Sequence, residues 1–225
     1  MKKGRGKDKP FGDTATKEIL AAALLNKRGY RKQIYSKYLD KGIINEPEAL
    51  KMLCKEMKWN LPDKLAKKRH YNEYITGEPD LWLPEQKILA DVKCSYDPMT
   101  FPYLEDTLTN TDYIWQMQSY MWLCDVEVSY LAYCLTDNPE QMREREVYFR
   151  TQSKMNYPES IDMDLSKIES DVEEEVAKEM TFGQFPDSSR IKVYTVHRDE
   201  EAIEEIRNRV DAARKIYDVI YTYKI

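Results

Sequence analysis

The 225-residue sequence lacks several features that would define its class. It has no apolar run of about 18 residues, which excludes a membrane-spanning helix, and its first ten residues lack the apolar stretch of a signal peptide. We therefore expect a cytoplasmic protein with no membrane partner. The four cysteines are widely spaced without a C-x-x-C pair, which disfavours a zinc site and a disulfide framework. Its two histidines, His70 and His197, do not fall in a metal-ligand spacing.

The sequence is instead rich in charged and aromatic residues. Charged residues make up 33% and aromatic residues 12% of the chain, a composition that folds and stays in solution. The length suits one domain, which we place at residues 11–225, after a basic flexible tail over residues 1–10. The net charge of −5 argues against a general nucleic-acid coat, so a polyanionic partner needs a local basic patch.

The hydrophobic periods predict interleaved helices and strands. Helical spacing or composition marks residues 13–28, a second helix opened by Asn45 or Glu46 with Pro47 in its first turn, a short basic helix after Pro62, and residues 111–123, 159–179 and 199–220. Strand patterns cover residues 74–83, 87–95, 126–135 and 190–197, the first two forming a hairpin. The sequence therefore predicts a single α/β domain.

The predicted hairpin brings three charged side chains to one face. Residues two apart on a strand point the same way, so Asp91 and Lys93 share a face, and Asp80 joins them from the neighbouring strand. Carboxylates with water and phosphate oxygens are suited to Mg²⁺ or Mn²⁺, and a nearby lysine can orient or deprotonate an attacking water. This set of groups is able to hydrolyse phosphodiesters.

The pattern Pro79-Asp80 followed by Asp91-Val92-Lys93 resembles the PD-(D/E)xK nuclease signature. The resemblance implies a restriction-endonuclease-like fold, with a central mixed β-sheet flanked by α-helices. It also implies that Asp80 and Asp91 bind metal, that the Val92 carbonyl joins them, and that Lys93 handles the nucleophilic water. Asp91 stands where many relatives have glutamate, an alternative that the motif allows.

Two flanking motifs extend the resemblance. Residues 42–49 (GIINEPEA) are similar to the G-x-x-x-E-x-x-A helix of lambda-exonuclease and YqaJ-type nucleases. Gln116 and Tyr120 fit the Q-x-x-x-Y motif that this group shares with RecB-like nucleases. The resemblance implies that Glu46 is an outer or second-metal acid, that Gln116 holds water or phosphate, and that Tyr120 supports Gln116 from the same helix face. The resemblance covers roughly residues 10–221.

The same resemblance implies an activity and partners. It implies a magnesium-dependent exonuclease, with Mn²⁺ able to substitute, that resects one strand of duplex DNA ends from 5′ to 3′ in phage recombination. A ring trimer, a single-strand annealing protein as partner and the cytoplasm of a bacterial host are further implications. Cys124 and Cys134 stand far apart with no cysteine near the C-terminus, so we predict no iron–sulfur cluster.

Phosphate contacts need basic residues. The densest candidates are the N-terminal tail and a basic segment that contains Lys64, Lys67, Lys68 and Arg69. The alternative is that the segment is only the solvated face of a helix.

Simpler interpretations stay open for the site residues as well. Asp80 could be a turn residue, Asp91 and Lys93 could decorate an edge strand, and Glu46 could be a first-turn acid that the helix dipole favours. Gln116 and Gln118 lie on different sides of a helix, so only one of them can line the site. For the whole protein, an endonuclease or repair nuclease with the same site and a non-catalytic DNA-binding protein are the alternatives.

Overall fold

The structure is a computed structural model that describes residues 11–30, 33–62, 67–156 and 164–222. The predicted basic tail and Lys64 lie outside these residues. The helices are α1 (Asp13–Lys27), α2 (Lys37–Met57), α3 (Thr111–Cys124), α4 (Glu140–Met155), α5 (Leu165–Met180) and α6 (Glu200–Thr222). The strands are β1 (His70–Tyr71), β2 (Thr76–Gly77), β3 (Leu81–Leu83), β4 (Ile88–Cys94), β5 (Val128–Cys134) and β6 (Ile191–His197).

A four-stranded mixed sheet in the order β3-β4-β5-β6 forms the centre of the fold. The β3–β4 and β5–β6 pairs are antiparallel, whereas β4 and β5 are parallel and are connected through α3. A helical crossover is the usual link between parallel neighbours, because the chain must return from the end of one strand to the starting end of the next, which a short turn cannot do. The predicted α/β fold class is confirmed.

The two faces of the sheet are covered by different helices. Leu50 and Leu53 of α2 pack on one face, against residues such as Val92. On the other face Met121 of α3 packs against Leu89. Because alternate residues of β4 point to opposite faces, Leu89, Asp91 and Lys93 all face α3. The charged pair thus lies at the polar end of an otherwise apolar interface between sheet and helix.

The structure corrects two of the predicted helices. The helix expected to open at Asn45 or Glu46 begins at Lys37, and Pro47 lies inside it. Asn45 is buried and donates from its amide to Thr136 Oγ1 at 2.9 Å, so a tertiary contact holds the earlier turns in place. The short basic helix expected after Pro62 is also wrong in its described part, because His70 and Tyr71 form β1, paired with β2.

The remaining predicted elements are present in the described residues, with one further correction. The strand predicted over residues 74–83 is wrong as a single element, because β2 pairs with β1 in a separate sheet and only β3 forms the hairpin with β4, through Pro84–Gln86. The other strands and helices overlap their predicted ranges. Helix α4 had no counterpart among the predictions. All four cysteines are free thiols, and Cys54 and Cys134 are buried. No helix in the described part of the chain has the length and apolar composition that a membrane crossing requires.

Candidate active site

The strand register brings Asp80 and Asp91 together. Leu81 is the partner of Ala90 across the antiparallel pair, so Asp80, one residue before β3, stands beside Asp91. Asp80 Oδ2 accepts a hydrogen bond from the Val92 backbone N–H at 3.0 Å, which fixes its carboxylate against β4. The carboxylate of Asp80 is therefore held beside Asp91, whichever role it has. The edge-strand interpretation of Asp91 and Lys93 is wrong, because β4 lies between β3 and β5.

Asp91 is an almost completely buried carboxyl group, with 2% of the residue exposed. Burial and the adjacent charge of Asp80 raise its pKa to about 7, although the Lys93 ammonium acts in the opposite direction. Lys93 Nζ contacts Asp91 Oδ2, so the ammonium offsets part of the negative charge that is buried there. Such a carboxyl pair takes up positive charge readily, either as a proton or as a cation.

Lys93 links the carboxyl pair to α3. Its ammonium donates a hydrogen bond to Gln116 Oε1 at 3.1 Å and lies 4.8 Å from the centroid of the Tyr113 ring. Tyr113 was missed at the sequence level, although its position three residues before Gln116 puts it on the same helix face. The lysine is thus held from three sides, by a carboxylate, an amide and an aromatic face.

Gln116 is itself held by a chain of hydrogen bonds. Its Nε2 donates to the Tyr120 hydroxyl at 3.0 Å, and that hydroxyl donates to the backbone carbonyl of Glu78 at 3.4 Å. Burial raises the pKa of Tyr120 to about 12, so the phenol remains a donor at neutral pH. Gln118 points elsewhere: its Nε2 donates to the His197 carbonyl at 2.7 Å. Of the two glutamines, Gln116 therefore lines the site.

The described part of the basic segment, which begins at Lys67, reaches the rim of the site. Lys67 Nζ lies 2.5 Å from Glu46 Oε1 and 3.5 Å from Asp80 Oδ1, so one ammonium bridges the two acids. Arg69 Nε lies 3.5 Å from Glu78 Oε2, and Lys68 is exposed between them. Glu46 is not a first-turn acid, because it lies in the middle of α2.

The donor set suits a hard divalent cation. Asp80 and Asp91 supply adjoining carboxylates, the second of them buried, and Val92 supplies a backbone carbonyl next to Asp91 in β4. Within the described ranges, however, no three His, Cys, Asp or Glu side chains already stand together as a complete metal cluster. The Lys67 ammonium contacts both Glu46 and Asp80, so a positive charge already stands beside two of these acids. The residues fit a metal that displaces Lys67.

Known structures of similar fold were found. The chain is similar to a phage-related exonuclease from Haemophilus somnus 129PT, with a TM-score of 0.73 and 27% identity over 98% of this chain and 90% of that one. It is also similar to an alkaline exonuclease (LHK-Exo) from Laribacter hongkongensis, with a TM-score of 0.59 and 14% identity over 92% and 81% of the chains. A structure of LHK-Exo with dAMP matches with a TM-score of 0.57.

Comparison of the sequence with family models and with curated proteins did not identify a match. The structural similarity nevertheless confirms the resemblance to lambda-exonuclease-like nucleases that the motifs predicted.

Proposed function

We propose, from the exonuclease-like fold and the geometry of the site, that this protein is a divalent-metal-dependent exonuclease acting on the ends of duplex DNA. The observation that carries the proposal is the convergence of Asp80, Asp91 and Lys93 at one end of the sheet, with Gln116 holding the lysine. The similar structures from Haemophilus somnus and Laribacter hongkongensis are named as exonucleases, and one of them holds dAMP, which supports a DNA substrate.

The metal is proposed to be Mg²⁺, with Mn²⁺ as a substitute. Asp80, Asp91 and the Val92 carbonyl would hold it, and Glu46 would add an outer or second ligand. When bound, it supplies Lewis-acid activation of the phosphodiester and of water.

The protein groups around the metal have separate tasks. Lys93 would orient the attacking water by donating a hydrogen bond from its ammonium to the water oxygen, and the proton that the water loses would pass to solvent. Gln116 fixes Lys93 and reaches the water or a phosphate oxygen, and Tyr120 keeps Gln116 in place. The water oxygen attacks phosphorus in line, the bond from phosphorus to the 3′ oxygen breaks, and a proton goes to that oxygen. The products are a 5′-phosphate and a 3′-hydroxyl.

The DNA backbone would approach along the basic segment. Lys67 contacts Asp80, Arg69 contacts Glu78 two residues before it, and the exposed Lys68 lies between them in the chain, so phosphates flanking the scissile bond would pass along this segment. Lys64 and the N-terminal tail are proposed as further phosphate contacts.

We further propose the finer role that the motifs imply. The enzyme would resect one strand from 5′ to 3′ in phage-type recombination, in the cytoplasm of a bacterial host. It would work as a ring trimer that passes the exposed strand to a single-strand annealing protein. These properties rest on the resemblance alone.

The reaction class is tested by incubating the purified protein with matched linear and covalently closed circular duplex DNA. We expect Mg²⁺ or Mn²⁺ to support degradation of the linear molecule only, and we expect EDTA or Asp80→Ala to abolish it. Cutting of the closed circle would assign the site to an endonuclease instead. Degradation of neither molecule, with DNA binding intact, would identify a non-catalytic DNA-binding protein.

A further inference from the structure

Helices α4 and α5 form an antiparallel pair with an open groove along one side. Their mutual packing rests on a buried seam in which Ile168 and Val172 of α5 contact apolar residues of α4. Ion pairs such as Arg150 to Glu179, at 2.7 Å, set the antiparallel register. The groove beside this seam has a volume of about 550 Å³. None of the residues that line it belongs to the candidate active site.

The floor of the groove is apolar. Val147 and Val176 form its base, and Tyr148 and Leu165 flank them. Tyr148 is 60% exposed and Leu165 is 50% exposed, and neither side chain belongs to the buried seam. Large apolar side chains that line a concave surface are typical of a site that receives apolar groups from another molecule.

The rim of the groove is acidic. Its four glutamates are on both helices: Glu140, Glu144, Glu169 and Glu173. Within the described ranges no ion pair engages any of the four, whereas the glutamates on the other side of the helix pair are bound by Arg150 and Lys154. Among the described residues that line the groove, Arg143 is the one cation, and its Nε donates to the Asn138 carbonyl at 3.1 Å. The groove therefore carries uncompensated negative charge around an apolar floor.

We propose that the α4–α5 groove binds a basic amphipathic helix of a partner protein. Apolar side chains at helical spacing would fill the floor, and lysines or arginines beside them would pair with the rim glutamates. DNA does not suit this site, because its phosphates are negatively charged, as the rim glutamates are, and would be repelled. The linking residues 157–163 do not suit it either, because they contain two acids and no basic residue.

The experiment uses fluorescein-labelled peptides and measures anisotropy with the full-length protein. The probe is a helical peptide of about 18 residues with leucines at i, i+3, i+4 and i+7 spacing and lysines elsewhere. Its controls are the same peptide with glutamate in place of lysine, and a peptide of equal composition with scrambled leucine spacing. We expect the lysine peptide alone to bind, with an affinity that falls as salt is added.

Variants locate the binding site. We expect Glu169→Lys with Glu173→Lys to weaken the peptide by about tenfold or more, and Ala177→Trp to weaken it by filling the groove. The matched control is Asp171→Lys with Glu174→Lys, which makes the same charge change on α5 outside the groove and should weaken binding much less. Circular dichroism checks that each variant is folded.

Several results would overturn the proposal. It fails if the glutamate or scrambled peptide binds as well as the probe, if no peptide binds, or if the two double variants behave alike. It also fails if light scattering shows that Ala177→Trp changes the oligomeric state, because a second copy of the chain then occupies the groove.

Discussion

Lys41 is a fully buried lysine on α2 that has no carboxylate partner in a hydrogen bond or ion pair among the described residues. Its ammonium donates to the carbonyls of Tyr96 at 3.1 Å and Thr136 at 2.6 Å, and it lies 5.2 Å from the centroid of the Phe182 ring. Burial lowers its pKa to about 8. The side chain thereby ties α2 to the segments that follow β4 and β5, at the end of the sheet where Lys93 lies.

This lowered pKa predicts an unusual alkaline stabilisation. Above pH 8 the folded protein releases a proton from Lys41 that the unfolded chain keeps until its pKa near 10.5, so the free energy of unfolding should rise with pH. Relative to Lys41→Met, we expect the wild type to gain about 1–2 kcal/mol between about pH 8 and pH 10 in urea unfolding. Parallel stability curves for the two proteins would show that Lys41 is not the cause.

The position of Lys67 predicts that its ammonium competes with a divalent cation for the carboxylates of Glu46 and Asp80. Because its ammonium lies between Glu46 and Asp80, replacing it by methionine removes a positive charge that a divalent cation must displace. We expect Lys67→Met to bind Mn²⁺ about three- to tenfold more tightly in the absence of DNA, measured by electron paramagnetic resonance of free Mn²⁺. Lys68→Met makes the same charge change on an exposed neighbour and should have a smaller effect. Equal affinities for wild type and Lys67→Met would contradict the competition.

For individual residues, the sequence predicted which side chains share a face of a strand or helix, because local periodicity determines this. The two-residue period of a strand placed Asp91 and Lys93 on one face, and the helical repeat placed Gln116 with Tyr120. The ion pairs of Lys67 with Glu46 and Asp80 depend on the distance between its segment and α2. The spacing of residues along the sequence does not determine that tertiary distance. The same holds for Tyr113, whose contact with Lys93 joins α3 to β4.

Among the elements, α2 shows how tertiary contacts override a local signal. Pro47 and the adjacent acids indicate a helix start, because proline is favoured in a first turn. The helix nevertheless begins at Lys37, and its buried residues Lys41 and Asn45 form hydrogen bonds with the segment after β5. The first half of α2 could not be predicted, since its buried groups are polar and its apolar ones, such as Ile43, are exposed.

The contact between β2 and α3 gives a prediction at the level of elements. A Cβ atom at Gly77 would lie 2.7 Å from Tyr120 Cε1 and 3.1 Å from Leu123 Cδ1, so alanine there must displace the ring that holds Gln116. We expect Gly77→Ala to lower the free energy of unfolding by about 1–3 kcal/mol and to slow DNA cleavage.

Gly42 is the matched control for this substitution. It lies inside α2 with no atom near its Cβ position, so Gly42→Ala should stabilise the protein by about 0.5–1 kcal/mol. Urea unfolding of both variants gives the comparison. A Gly77→Ala protein as stable as the wild type would show that the ring of Tyr120 moves freely.

For the whole molecule, the distribution of charge is more informative than its sum. Residues 159–179 contain nine acids and two lysines, so this segment alone has a charge of −7 and the rest of the chain has +2. The structure places the described part of this acidic segment on and next to α5, while Lys67 contacts Asp80 and Arg69 contacts the nearby Glu78. The net charge of −5 therefore does not exclude DNA, which would meet the basic rim and avoid the α4–α5 pair.

The central claim is that Lys93, between Asp91 and Gln116, performs the chemistry on a bound DNA end. The most direct test is single-turnover cleavage of a 5′-labelled linear duplex in Mg²⁺ by wild type, Lys93→Met and Lys87→Met, the last an exposed lysine in the turn of the same hairpin. We predict that Lys93→Met slows cleavage by about 10²–10⁴-fold, with DNA affinity in Ca²⁺ nearly unchanged and Lys87→Met like the wild type. Cleavage by Lys93→Met at the wild-type rate would contradict the account.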